Sequence, residues 1–121
     1  MNPRIDMVVM TNNGHQATVG GPINWEDDAT SATFSAAVVQ MSQSGQTVLA
    51  AGQNSAVFTR AHDLRWDAVV HALNGNRLAV GPADGWATAA VLETAGSYEC
   101  YPWQVEDLQV TDAENVVVSA D

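Results

Sequence analysis

A chain of 121 residues is long enough for one domain with a core of its own and short for two. Only 15% of the residues are charged, and fourteen acids face four bases, leaving a net charge of −10 at pH 7. That balance argues against nucleic acid as a partner, because phosphate binding needs clustered Lys or Arg, and equally against an anionic membrane surface. All four bases are arginines (Arg4, Arg60, Arg65 and Arg77). The solvated face must therefore be built from Ser, Thr, Asn, Gln and Gly, a composition better suited to exposed strands and loops than to surface helices. Cys100 is the single cysteine, so no internal disulfide is expected. The apolar run Met7 to Met10 is too short for the core of a signal peptide, and nothing approaches a membrane-spanning length. The expectation is a chain made in the cytoplasm without a signal peptide.

In chain order, Ile5 to Met10 reads as a short strand. Thr11-Asn12-Asn13-Gly14 reads as a turn and Gln16 to Val19 as the returning strand of a hairpin, ended by Gly20-Gly21-Pro22. Ile23-Asn24-Trp25 leads into Glu26-Asp27-Asp28, the densest acidic run and a loop by composition. Ala32 to Met41 fits two periods: Phe34, Ala37, Val38 and Met41 at helical spacing, or Phe34, Ala36 and Val38 on one face of a strand. Its β-branched neighbours and the Ser44-Gly45 turn favour a strand paired with Thr47 to Ala51. Gly52-Gln53-Asn54 reads as a further turn before a strand from Ser55 to Arg60.

The stretch from Trp66 to Leu92 carries the strongest local signals. Asn74-Gly75 and Asp84-Gly85 each separate apolar runs, as type I′ hairpin turns do. Together they predict a three-strand meander, with a middle strand from Arg77 to Val80 and with Trp66 and Trp86 both on the buried side. A helix over Leu64 to Leu73 is the competing reading. Ser97 to Tyr101 reads as a strand interrupted at Pro102, Val105 to Val110 continues as strand or short helix, and Val116 to Val118 reads as a final strand or a β-arm. The sum is a single all-β domain over residues 1–121: an antiparallel β-sandwich or barrel of roughly eight to ten short strands, with room for one short helix.

Chemistry-bearing residues are sparse. Asp63, Asp67 and His71 would share a face on a helix and chelate an ion, with His62 nearby. On a strand, Asp67 and His71 share a face but stand roughly 13 Å apart, so the strand reading leaves them as surface polar residues and no metal is expected. His15 beside a turn reads as exposed. Cys100 has acidic neighbours, which disfavour a thiolate, and reads as a small buried apolar residue. Glu26, Asp27 and Asp28, and separately Glu106, Asp107, Asp112 and Glu114, lack the spacing of a calcium loop and read as solvated loops. No pair of carboxylates stands out for glycoside hydrolysis.

Aromatic residues are the exception, with four Trp and two Tyr against two Phe. Trp25 beside three acids, and Tyr101 and Trp103 around Pro102, are the candidate interface residues, since an exposed ring offers a flat apolar face together with a polar handle. These features point to a non-enzymatic structural or assembly module without cofactor, of the virion accessory or capsid-decorating type. It would act through protein–protein contacts, by self-association or within a larger assembly, with its terminal strands pairing with or packing onto neighbours. A small carbohydrate-binding module with a Trp/Tyr platform is the first alternative. An acidic inhibitor or immunity-type protein that plugs a basic cleft is the second.

Overall fold

A computed structural model describes residues 3–23, 29–41, 45–57, 65–94, 96, 98–100 and 104–113. Eight strands run through them: β1 (Met7–Thr11), β2 (Gln16–Pro22), β3 (Ala29–Met41), β4 (Thr47–Val57), β5 (Arg65–Ala72), β6 (Gly81–Glu93), β7 (Tyr98–Cys100) and β8 (Gln104–Asp112). Their order is β3-β4-β5-β2-β1-β8-β6, and β6 pairs back onto β3, so the sheet closes into a barrel of seven strands. The short β7 pairs with Ala90–Leu92 of β6, beyond the Gly81–Ala87 segment that β8 covers, and so extends the same side of β6. An odd ring cannot alternate direction throughout. One neighbouring pair has to be parallel, and here it is β1 with β8, in register Val8 to Val110 and Met10 to Asp112. The Thr111 hydroxyl donates to the Val8 carbonyl across this seam, at 3.2 Å.

Alternation decides which residues fill the interior. Along β5 the exposed residues Arg65, Asp67, Val69 and His71 alternate with buried Trp66, Ala68 and Val70, the period-two pattern of a strand with one covered face. The helical reading of Ala32 to Met41 gives way to β3, and that of Leu64 to Leu73 gives way to β5 over its described residues Arg65–Ala72. Many interior positions are Ala (Ala17, Ala36, Ala50, Ala68, Ala87 and Ala89 among them), and small inward residues let the ring close tightly. Phe34 and Trp66 supply the bulk; their rings stack with centroids 5.4 Å apart. The Trp66 indole N–H donates to the Arg4 carbonyl at 2.8 Å, so the largest core residue leaves no orphaned donor.

The expected hairpins β1–β2 and β3–β4 form, the latter pairing continuously from Ser31–Val57 to Met41–Thr47. The meander does not. Asn74-Gly75 is a turn, with φ of 59° and 71° at its two residues, but no strand returns from it. Instead the chain crosses the end of the barrel. The Leu78 amide donates to the Gly14 carbonyl, and the Ala79 amide donates to the side-chain oxygen of Gln40. Gln40 is the one buried polar residue among those described. Its amide group donates in turn to the carbonyls of Ala79 and Pro82. These contacts satisfy the connection's backbone without a partner strand, and the buried Leu78 side chain closes that end of the core.

Asp84-Gly85 is not a turn either. It lies inside β6, where Gly85 points inward and a side chain in its place would collide with Leu108 and stand 3.1 Å from Ile5 Cδ1. Gly52 has the same role inside β4: a Cβ there would meet the Val69 carbonyl oxygen. Both glycines mark close approach within a strand rather than a change of direction. Because β6 begins at Gly81, its inward positions are Ala83, Gly85, Ala87, Ala89 and Val91, and Trp86 falls on the outer face, half-buried. The expectation that Trp86 belongs to the core is thereby corrected.

Candidate interaction surface

Trp25, Tyr101 and Trp103, the interface residues expected from the sequence, lie outside the described residues, as do His62, Asp63 and the Glu26-Asp27-Asp28 run. Asp67 and His71 project from the outer face of β5, four residues apart on a strand, and His71 Nδ1 lies 3.3 Å from the Gln16 side-chain amide. Among the described residues no three His, Cys, Asp or Glu side chains gather as ligands. His15 is exposed, as expected. Cys100 is exposed as well, which corrects its expected burial: it pairs with Ala90, an outward position of β6. Glu106, Asp107 and Asp112 belong to strand β8 and not to a loop, because the Val-rich segment around them is needed to close the ring against β6 and β1. Pairing of the N-terminal strand with a neighbour, one of the two contacts expected of it, is also corrected. With β2 on one side and β8 on the other, β1 has both edges paired, so it cannot add to a neighbouring sheet.

What the ladders bring together is a row of outward residues across five strands. Leu73, just past β5, donates its amide to the Leu49 carbonyl on β4. Leu49 pairs with Val39 on β3, Val39 with Asp84 on β6, and Asp84 with Asp107 on β8. One end of this row is apolar and the other acidic. Leu73 is 43% exposed and Leu49 38% exposed, and Met41, two residues beyond Val39 on the same face, is 67% exposed. A parallel row runs one strand repeat away, in which Ala51, Ala37 and Trp86 are successive cross-strand partners. Single apolar residues at a surface are ordinary; several brought into adjacent registers form a patch of the kind found at protein contacts.

The acidic end has its own geometry. Asp84 and Asp107 are both exposed and directly opposite each other on antiparallel strands. Like charges so placed repel and cost stability. Neither carboxylate makes a hydrogen bond or ion pair among the described residues. They flank a groove of about 400 Å³ whose walls include Val39, Met41 and Pro82, and no basic residue lines it among the described residues. Elsewhere an acid is neutralised: Arg65 makes a two-pronged contact with Asp6, at 2.9 and 2.6 Å, and these hydrogen bonds hold the Asp6 carboxyl below the usual carboxylate range.

Set against protein-family models, curated proteins and solved structures, the chain matches none. The functional reading therefore rests on this surface.

The row was hidden from sequence reasoning for a definite reason. Val48, Leu49 and Ala50 form an unbroken apolar run in the sequence, and only the burial along β4 shows that Leu49 is the outward one. Joining it to Val39 and Asp84 needs the β3–β6 pairing, a contact between residues far apart in the chain.

Proposed function

We propose that this chain is a non-enzymatic structural module that self-associates through its apolar outer wall and takes its place in a larger assembly. The single observation behind this reading is the registered row on the barrel wall in which Leu73 and Leu49 are exposed, Val39 is half-buried between Leu49 and Asp84, and exposed Met41 stands beside them. Apolar side chains gathered this way gain by leaving water together, at roughly 25 cal/mol per Å² of apolar area covered. Because β1 is paired on both edges, contact between copies proceeds through side chains rather than strand addition on that side. A net charge of −10 keeps dilute subunits apart until that gain prevails. Trp25, Tyr101 and Trp103 remain proposed as further anchors on the strength of residue type. A decorating or accessory subunit on the outside of a virion shell is the setting we favour for such a module.

Sedimentation equilibrium over rising protein concentration tests the reading. The wild-type mass should climb above that of one chain, while Leu49→Glu stays monomeric with an unchanged circular-dichroism spectrum. A wild-type chain that remains monomeric to millimolar concentration defeats it.

One observation favours a second reading, a glycan platform. Trp86 lies half-buried on the outer wall beside Ala37, next to a groove of about 440 Å³ that Ser35 and Gln53 border with polar groups. Glycan-array binding that Trp86→Ala abolishes would establish it; an array with no signal would remove it.

A further inference from the structure

We propose that the groove between β3, β6 and β8 receives an arginine side chain from a basic partner protein, gripped between the Asp84 and Asp107 carboxylates. The proposal rests on the assembly reading for the existence of a partner and adds its chemistry. Two carboxylates directly opposite on an antiparallel pair carry Cβ atoms roughly 4.5–5.5 Å apart, close enough for one planar guanidinium to bridge both. The walls favour arginine in particular. The outward lining residues Val39, Met41 and Pro82 offer apolar surface for its three-carbon stem.

A divalent cation fits less well. Calcium needs six to eight oxygen ligands, and the nearest buried amide, Gln40, already spends its oxygen on the Ala79 amide and its donors on the carbonyls of Ala79 and Pro82. A second copy of this chain is poorly matched too. It brings another net charge of −10, and Arg65, one of its four bases, is already held by Asp6. The wall is thereby divided: its apolar end suits like copies, and its acidic end suits a positively charged partner. A positively charged group seated between Asp84 and Asp107 would relieve their mutual repulsion.

The test is an amide NMR titration of the full-length protein with a blocked Leu-Arg-Leu tripeptide, alongside the same peptide carrying citrulline, which keeps the shape and loses the charge. The expected result is saturable shifts confined to the amides of Val39, Asp84, Asp107 and Leu108. Affinity should fall at least about tenfold with citrulline, fall at high salt, and vanish in the Asp84→Asn/Asp107→Asn double variant. That variant removes a repulsion, so it should melt no lower than the wild type, which separates lost recognition from lost folding. Equal binding of the citrulline peptide, shifts that persist in the double variant, or tight calcium binding at the same amides would each overturn the proposal. Since Leu49 and Leu73 are untouched by the double variant, a chain that still associates in sedimentation but ignores arginine overturns this inference and leaves the assembly reading standing.

Discussion

Asn74-Gly75 and Asp84-Gly85 are close chemical relatives ten residues apart, yet the backbone leaves the barrel at the first and runs straight along it at the second. At Asn74-Gly75 both residues take positive φ, and the space around Gly75 is open. At Gly85 the backbone is extended and the space is full: Leu108 and Ile5 occupy the volume a side chain would need. Gly52 belongs with Gly85, except that its obstacle is the backbone of β5 at Val69 rather than a side chain. One kind of glycine supplies conformational freedom and the other supplies room, and the dipeptide alone does not distinguish them.

Substitution breaks the comparison open. Gly52→Ala should have the largest effect, about 3 kcal/mol or more, because a carbonyl in a paired strand cannot move aside; urea unfolding measures it. Gly85→Ala should cost about 2–3 kcal/mol, since the end of the Leu108 side chain can shift. The sharper form is a double-mutant cycle with Leu108→Ala: the two changes together should destabilise less than the sum of the singles, and strict additivity would show that the collision is not the cause. Gly75→Ala should cost only about 1 kcal/mol, through backbone strain alone, and no partner substitution should rescue it.

The smallest effect belongs to the pH dependence of the Arg65–Asp6 pair. Asp6 titrates below its unfolded value, chiefly because of the hydrogen bonds from Arg65. Its contribution is therefore complete at neutral pH, fades as pH falls below about 4, and is gone once pH passes the lowered folded value. Both side chains are about half exposed, so water and salt screen the pair. Melting temperature against pH for Asp6→Asn should lie slightly below wild type at pH 7 and follow a slightly shallower acid limb, so that the two curves converge as pH falls.

Much of the fold could be read locally. The alternation of β5, the hairpin turn before β2, and the β3–β4 hairpin all follow from residues near one another in the chain. Trp86 shows how a local error spreads. A turn at Asp84-Gly85 would restart the strand and put Trp86 inside; a strand already running from Gly81 places it outside, since one residue of phase exchanges the two faces. The ring itself depends on Val8 meeting Val110 and Phe34 meeting Ala89, pairs whose separation carries no local signal. The candidate surface was less legible than the fold for the same reason. Leu73, Leu49, Val39, Asp84 and Asp107 become neighbours only when five separate segments are aligned.

The parallel seam has a practical corollary for anyone building with this protein. The segment before β1 continues along β2, with the Arg4 amide bonded to the Pro22 carbonyl, while β8 runs beside β1 in the same direction and reaches Asp112 level with Met10. Cargo fused ahead of β1 and cargo fused after β8 would thus project from opposite mouths of the cylinder. Tandem copies on short tethers would string out as beads in one polarity, and a circular permutant would have to span the roughly 20 Å that separates Arg4 from Asp112, at about 3.3 Å for each of the six steps from Arg4 to Met10.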